Sequence, residues 1–188
     1  MHLIPVGRDA VLVEVADAAQ AVSLATWARD RVTAIEIVPA ARTVLFDGVE
    51  DDLEVALKGW HPGLAVIGAN VSLEVEWDGA DLDFVSELWG RPAPEVLLAT
   101  EFTVAFCGFA PGFSYLTGLP ETLAVPRLDS PRSRVPAGSL ALAGDFAGIY
   151  PSASPGGWRL VGTVDAPLWD PARTSPALLP PGTRVRLR

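Results

Sequence analysis

Three arginines and two tyrosines lie within or beside a proline-rich stretch, and their side chains suit the recognition of a small anion. Arg127, Arg132 and Arg134 occur within eight positions. The planar fork of a guanidinium binds a carboxylate or a phosphate through two parallel hydrogen bonds. Tyr115 and Tyr150 are the two tyrosines of the chain, and each adds a hydroxyl donor. We therefore predict an anion-binding pocket for a carboxylate or a phosphate, built from these five side chains.

Glycine and proline turns surround these side chains. Gly156 and Gly157 lack a side chain, so their backbone N–H groups can approach a ligand closely. Proline–glycine pairs fix tight turns, and rigid loops on a β scaffold commonly carry binding sites. The residues that we expect in the loops around the pocket are Phe109, Pro111, Gly112, Phe113, Pro136, Gly138, Ser139, Pro155 and Trp158. The residue types identify no catalytic group.

The same residues also have purely structural interpretations. The turns can serve the fold alone, and Trp158 at the start of a strand is typical of a core residue. The arginines can form a solvated rim, or they can contact the acidic first half of the chain, where residues 1–100 carry a net charge of −11. Cys107 is typical of a small buried thiol because no base lies near it in the sequence, and His61 follows a predicted helix end.

Composition excludes several classes of function. The chain has 188 residues and a net charge of −9, which argues against a nucleic-acid partner. One cysteine and two histidines exclude an internal disulfide and leave too few ligands for most metal sites, so we predict no metal site. No apolar run approaches the ~18 residues of a membrane span. The N-terminal residues show no secretory signal, and we expect a cytoplasmic protein with no membrane partner.

The first part of the chain predicts a ferredoxin-like domain. Alternating patterns predict strands at 11–15, 34–38, 43–47 and 71–76. Asp17 is a candidate N-cap for a helix to about Arg31, and a second short helix is predicted over 50–59. The order βαββαβ is that of the split βαβ motif. We predict a ferredoxin-like domain over residues 1–78.

The second part of the chain predicts a small β-barrel or sandwich. Residues 79–100 are predicted to be a connector with a short helix at 82–89 that Arg91–Pro94 ends. Twelve of the seventeen prolines follow residue 100, and long helical periodicity disappears there. Short strands separated by turns are typical of barrels and sandwiches. They are predicted at 102–107, 139–143, 158–164 and 184–187. The fold class is therefore α+β, with a β-rich domain over 101–188.

Three blocks in this second part resemble a known family. They are GFAPGFSYLTGLP at 108–120, PRLDSPRSRVPAGS at 126–139 and GIYPSASPGGWRLVGT at 148–163. These blocks resemble the family of the 5-oxoprolinase B subunits, which is also described as allophanate hydrolase subunit 1 or the Kip kinase-inhibitor family. The resemblance is dense over 101–188 and weak before it.

The resemblance implies a fold, a partner and an activity. It implies a ferredoxin-like N-terminal domain followed by a cyclophilin-like β-barrel, and a larger co-encoded subunit that forms a heteromer with this chain. Together with a lactam-cleaving protein, such subunits carry out the ATP-dependent hydrolysis of 5-oxoproline to glutamate. The resemblance thus implies a small carboxylate substrate and ATP as the cofactor. Because no Walker-type loop occurs in this chain, ATP binding is expected either to use an unfamiliar geometry or to be shared with the partner subunit.

Two alternatives stay open, and the chain departs from the family in one place. The alternatives are a non-catalytic module that inhibits a sensor histidine kinase, and a carboxyltransferase or allophanate hydrolase-related subunit of urea metabolism. Many relatives have a histidine shortly before the strand that leads to Gly108–Phe109. This chain reads Leu97–Glu101 there without a histidine. If that histidine takes part in chemistry in the relatives, this chain either lacks the activity or uses Thr100 or Glu101 instead.

Overall fold

The chain divides into two compact units. The computed structural model describes residues 1–63 and 68–188, and the units are Met1–Ile67 and Gly68–Arg188. The division falls before the strand predicted at 71–76, whereas the sequence places the domain boundary after it. All the predicted pocket residues belong to the second unit.

Over its described residues, 1–63, the first unit contains one antiparallel sheet and two helices. Its strands follow the order β1-β2-β4-β3. The strands are β1 (His2–Val6), β2 (Ala10–Glu14), β3 (Glu36–Pro39) and β4 (Thr43–Asp47), and the helices are α1 (Ala18–Ala28) and α2 (Leu53–Ala56), with a 3-10 turn at Leu57–Gly59. Val44 and Phe46 alternate into the core, as the period of two predicts. Asp17 caps α1 by accepting a hydrogen bond of 2.8 Å from the Gln20 N–H, which confirms the predicted N-cap.

The ferredoxin-like prediction fails at its last strand. The position beside β2 is taken by β1, a strand that the sequence analysis missed. The strand predicted at 71–76 is observed as Asn70–Leu73 and pairs in parallel with Arg184–Leu187 of the second unit. Alternation shows that one face of a strand is buried, but it does not show which sheet the strand joins. The predicted order βαββαβ is therefore not the order of this sheet.

The second unit contains nine strands and two helices. The strands are β5 (Asn70–Leu73), β6 (Glu101–Cys107), β7 (Ser114–Thr117), β8 (Arg132–Val135), β9 (Ser139–Ala143), β10 (Phe146–Ile149), β11 (Ser154–Gly156), β12 (Arg159–Thr163) and β13 (Arg184–Leu187). The helices are α3 (Leu82–Trp89) and α4 (Ala93–Ala99), and a 3-10 turn covers Glu121–Leu123. The four strands predicted after residue 100 correspond to β6, β9, β12 and β13. The strand predicted at 71–76 corresponds to β5, and β7, β8, β10 and β11 were not predicted.

A curled sheet forms the body of this unit. Its seven strands follow the order β12-β9-β10-β7-β6-β13-β5, and β8 pairs with β11 apart from it. Glu76, three residues after β5, and Thr163 at the end of β12 exchange two backbone hydrogen bonds of 2.9 and 2.8 Å. These bonds join the two ends of the sheet. The enclosed core includes Phe102, Leu116 and Leu140, each with 0% exposure.

The predicted connector is built into the second unit as two helices. The helix predicted at 82–89 is confirmed as α3, and Gly90 ends it in the left-handed conformation. The helix ends directly before Arg91–Pro94, as predicted, but Ala93 and Pro94 also form the first turn of α4, which was not predicted. Proline is accepted in the first turn of a helix because the N–H groups there have no partner within the helix. The Trp89 indole N–H donates to the Leu123 carbonyl over 3.0 Å, which connects α3 to the 3-10 turn at Glu121–Leu123.

Candidate functional site

A cavity of about 310 Å³ lies among the loops that carry the three sequence blocks. Its walls come from the loop after β6, from β7, from the segment before β8, and from the stretch between β10 and β12. The residues that line it are Phe109, Phe113, Tyr115, Arg127, Pro131, Tyr150, Pro155, Gly156, Gly157 and Trp158. The structure therefore gathers Tyr115, Arg127, Tyr150, Gly156 and Gly157 of the predicted anion site around one space.

The wall of this cavity is an aromatic cluster centred on Phe113. The Phe113 ring lies 5.1 Å from Tyr115, 5.3 Å from Tyr150 and 5.5 Å from Trp158, all edge to face. This geometry places the positive ring edge against the negative face of its neighbour. Phe113 and Tyr150 are each 2% exposed. The cluster is a rigid apolar surface that can pack against the ring of a small ligand.

Phe109 stands at the mouth of the cavity in a strained backbone conformation. Its φ is +68°, a conformation that favours glycine, and its side chain is 61% exposed. Its ring meets Phe113 at 5.2 Å and Tyr150 at 6.0 Å. A strained non-glycine residue costs about 1–3 kcal/mol and is characteristic of ligand-binding sites. This backbone conformation places the Phe109 ring at the entrance of the cavity, where a bound molecule would contact it.

The polar part of the cavity consists of hydrogen-bond donors. Burial raises the pKa of both the Tyr115 and the Tyr150 hydroxyl above the ordinary value of 10, and the nearby Arg127 charge offsets part of this rise. Both hydroxyls are therefore protonated at neutral pH. Among residues 1–63 and 68–188, Arg127 forms no ion pair with a carboxylate. Arg127 and the two neutral tyrosines thus line the cavity together with the rings of Phe109, Phe113 and Trp158.

The raised tyrosine pKa values predict a pH dependence of stability. Between the ordinary pKa of 10 and the higher pKa of the folded state, the folded chain binds more protons than the unfolded chain. The contribution of these two tyrosines to stability therefore stays level below pH 10 and falls as the pH rises through this interval. Tyrosinate absorbance should show both tyrosines titrating above pH 10 in the folded chain and near 10 in denaturant. A Tyr115→Phe variant assigns the two steps, and a tyrosine that titrates below 10 when folded contradicts the prediction.

Gly156 and Gly157 differ in what requires a glycine. A Cβ atom built on Gly156 would collide with the Tyr150 hydroxyl oxygen and lie 2.9 Å from the ring carbon Cζ. A Cβ on Gly157 would meet Pro131 at an ordinary 3.7 Å. The sequence analysis predicted that both glycines admit a ligand to the backbone. In the structure, a glycine is required at 156 because the Tyr150 ring occupies the space that a side chain there would need.

Arg132 is directed away from the cavity, towards Asp81. Its Nη2 atom donates to both carboxylate oxygens of Asp81, over 3.0 and 2.8 Å, and its Nη1 atom donates to the Trp158 carbonyl over 3.2 Å. Asp81 is 6% exposed and precedes α3. Its position before a predicted helix was visible in the sequence, but its arginine partner was not. Arg132 therefore does not line the cavity, but its hydrogen bond to the Trp158 carbonyl stabilises the cavity wall from outside.

Arg159 completes this network and was not predicted as a site residue. Its Nη1 atom lies 3.4 Å from Asp81 Oδ1, and its Nε atom donates to the Pro126 carbonyl over 3.2 Å. The guanidinium also covers the Phe84 ring at 3.9 Å. Pro126 precedes Arg127, so the network holds the backbone next to the cavity's guanidinium. Asp81, Arg132 and Arg159 are thus positioning residues for both sides of the cavity.

The remaining predicted residues support the cavity from outside or lie on the surface. Arg134 is exposed on β8, and Pro111 and Pro136 are exposed in loops. Gly138, with a φ of +80°, donates its N–H to the Tyr150 carbonyl over 2.7 Å. The remaining two, Gly112 and Ser139, are buried, and the Ser139 carbonyl accepts from the Tyr150 N–H over 3.0 Å. The loop 136–139 therefore fixes the backbone of Tyr150.

Thr100 and Glu101, the possible replacements for the family's histidine, form hydrogen bonds outside the aromatic cavity. The Thr100 hydroxyl donates to the Val96 carbonyl over 2.7 Å within α4. Glu101 pairs with Arg186 over 2.7 Å, and this hydrogen bond lowers the pKa of the Glu101 carboxyl. Burial raises the pKa of the Cys107 thiol, which makes it a weak nucleophile. None of the three lines the aromatic cavity.

Two features are absent from the part of the chain that the structure describes. Residues 1–63 and 68–188 hold no group of three or more His, Cys, Asp or Glu side chains that could bind a metal ion. Over the same residues, no helix has both the length and the apolar character needed to cross a membrane.

Comparison with known proteins identifies related sequences and folds. The B subunit of 5-oxoprolinase from Escherichia coli O157:H7 is 47% identical over 111 residues, which are 57% of this chain and 51% of that protein. The equivalent protein of Bacillus subtilis, with the same name, is 39% identical over 148 residues, 75% of this chain and 61% of that protein. The chain thus spans about half to three fifths of these relatives. Kluyveromyces lactis urea carboxylase shares the fold, with a TM-score of 0.71 and 18% identity over all of this chain and 23% of that one.

The match to a family covers most of the chain and confirms the resemblance stated from the three sequence blocks. The family is described as carboxyltransferase domain, subdomain C and D, and residues 1–179 match it. This range includes both compact units up to the loop before β13, and all the residues that line the aromatic cavity. The chain belongs to the carboxyltransferase domain family, subdomains C and D.

Proposed function

We propose that this chain is part of an ATP-dependent 5-oxoprolinase-type complex, in which its aromatic cavity binds the carboxylate of 5-oxoproline. The observation that carries the proposal is Arg127 beside two protonated tyrosine hydroxyls in a cavity of about 310 Å³. The names of the related proteins support the same reaction. A second, larger subunit completes the complex, because the relatives are named as subunits.

The cavity matches the chemistry of 5-oxoproline. This molecule is a five-membered lactam ring that carries one carboxylate. The carboxylate accepts two hydrogen bonds from a guanidinium, as arginine forks favour. The ring lies against the Phe113 and Trp158 edges, and the lactam oxygen is within the range of a tyrosine hydroxyl. A cavity at the lower end of the usual size range of small-molecule sites suits a ligand of this size.

Coupling to ATP follows from the chemistry of the lactam. Amide cleavage in water is slow, and transfer of the γ-phosphoryl group to the lactam oxygen makes the ring carbon electrophilic. Water then adds to that carbon, the C–N bond breaks as the nitrogen takes a proton, and the open chain is left as a γ-glutamyl phosphate. A second water hydrolyses this acyl phosphate and releases phosphate. The sum is 5-oxoproline, ATP and two waters to glutamate, ADP and phosphate. In this scheme the chain's own residues bind and orient the carboxylate, and the partner proteins supply the groups that act on the ring carbon.

Arg127→Ala tests the role of the guanidinium. A lost hydrogen bond to a charged group is worth about 1.5–3 kcal/mol, so the complex should turn over 5-oxoproline about 10- to 100-fold more slowly at low substrate concentration. Turnover is measured on the complex reconstituted with its co-encoded subunits. Arg134→Ala is the matched control, because Arg134 is an exposed arginine outside the cavity. Equal turnover in both variants removes Arg127 from the mechanism.

The same reconstituted complex separates the alternatives. The family description and the urea carboxylase fold favour carboxyl transfer as the second candidate. That reaction needs carboxybiotin carried by another protein, so it predicts activity that avidin blocks and that 5-oxoproline does not support. Stabilisation of this chain by 5-oxoproline supports the oxoprolinase function. Stabilisation by a histidine kinase domain alone supports the inhibitor function instead.

A further inference from the structure

A second positively charged surface lies on β13, apart from the aromatic cavity. Val185 and Leu187 point into the core with 0% and 4% exposure. Because side chains alternate along a strand, Arg184, Arg186 and Arg188 share the opposite face, and all three are exposed. We call these three residues the arginine row. In a chain with a net charge of −9, the row is a local concentration of positive charge.

The neighbouring strands supply polar side chains on the same face. β5 runs parallel to β13 and places Asn70 beside Arg184 and Ser72 beside Arg186. On the other side, Glu101 of β6 lies opposite Arg186. A depression of about 400 Å³ is bounded by these residues, Arg188 and Val71, and its lining is mostly polar. It shares no lining residue with the aromatic cavity.

The charges in this depression are only partly compensated. Glu101 accepts hydrogen bonds from Arg186 Nε and Nη2, over 3.2 and 2.7 Å. Within residues 1–63 and 68–188, no carboxylate side chain pairs with Arg184 or Arg188. Glu101 therefore anchors the middle arginine, and the two outer guanidinium groups keep their donors available. Like charges about 7 Å apart along the strand favour a ligand that carries several negative charges close together.

We infer that the arginine row binds an oligophosphate, such as the triphosphate of a nucleotide, in the depression between β5 and β13. Guanidinium forks bind phosphate oxygens in pairs, and long side chains two positions apart can converge on neighbouring phosphates. Asn70 and Ser72 add uncharged donors at the edge. A single carboxylate is too short and too weakly charged to reach both outer arginines. The inference goes beyond the proposed reaction and does not depend on it, because it concerns binding by this chain alone.

Calorimetric titration with tripolyphosphate at low ionic strength tests the inference on the purified chain. Wild type should bind, and the R184A/R188A variant should bind at least about ten-fold more weakly, because each lost charged hydrogen bond costs a similar factor. Arg134→Ala is the matched control, because Arg134 is exposed and lines neither the cavity nor the depression, and this variant should bind as wild type does. The charge-preserving R184K/R188K variant should be intermediate, since lysine keeps the charge and loses the fork.

Further ligands identify the part of the molecule that is recognised. ATP should bind about as tightly as tripolyphosphate, and adenosine should not bind. Higher salt should weaken binding by wild type more than by the R184A/R188A variant. Equal affinity of wild type and R184A/R188A overturns the inference. Absence of tripolyphosphate binding by the folded wild-type chain also overturns the inference. This holds even if the arginine row is then found to bind an acidic protein surface.

Discussion

Asp81→Ala is expected to lower the free energy of unfolding of the second unit by about 3–5 kcal/mol, the cost of removing one partner from a buried ion pair. The Asp81 carboxylate accepts from Arg132, from Arg159 and, over 2.7 Å, from the Leu160 N–H. Without it, two guanidinium groups and one backbone donor lose their acceptor in a site that is largely closed to water. Urea unfolding followed by tryptophan fluorescence measures the loss.

A nearby aspartate provides the control for this variant. Asp83 is exposed in the first turn of the same helix, so Asp83→Ala should change stability by no more than about 0.5 kcal/mol. The double variant Asp81→Ala/Arg132→Ala should be less destabilised than the sum of its single variants, because the two residues form one network. Equal stability of the two aspartate variants contradicts the assignment of Asp81 as the centre of the network.

Gly156→Ala is expected to destabilise the second unit by about 1–3 kcal/mol and to disrupt the cavity at the same time. The added methyl group collides with the Tyr150 hydroxyl, and the Tyr150 ring is held by Phe113 at 5.3 Å and by Phe109 at 6.0 Å. The ring must therefore move against closely packed neighbours. Ligand-induced stabilisation by 5-oxoproline, measured as a shift in Tm, should be lost in this variant.

Gly157→Ala separates this effect from a general effect of glycine replacement. Its methyl group meets only ordinary contacts, with Pro131 as the nearest at 3.7 Å, so stability should stay close to that of wild type. Neither glycine has the positive φ that would strain an alanine. If both variants lose the same stability, the contact between Gly156 and Tyr150 does not explain the requirement for glycine.

Local patterns in the sequence predicted individual elements well. The N-cap Asp17, helix α3 and four strands of the second unit follow from spacing and residue type, because capping and burial periodicity act over a few residues. The sheet to which a strand belongs depends on contacts far along the chain. For that reason β5 was assigned to the wrong sheet, and β1, which follows no strict alternation, was missed.

Of the site residues that were predicted from the sequence, likewise, only some lie around the cavity. Tyr115, Arg127 and Tyr150 do surround one cavity, because the turns that separate them are short and rigid. Arg132 and Arg134 lie in the same stretch, but neither lines it. Sequence spacing shows where an arginine lies along the chain. It does not show with which carboxylate the guanidinium forms an ion pair. Asp81 lies 51 positions before Arg132, so this pairing is visible only in the folded chain.

The segment after β5 has a consequence for how this unit can associate with other chains. Thr163 exchanges backbone bonds with Glu76. Leu160 donates its N–H to the Asp81 carboxylate, and its carbonyl accepts from the Asp81 N–H over 2.8 Å. The outer border of β12 therefore offers no unpaired amide at Leu160 or Thr163 that could template a foreign strand. Strand addition from another chain is therefore blocked along this border, which lowers the tendency to aggregate. A partner that binds there must contact side chains instead of backbone groups.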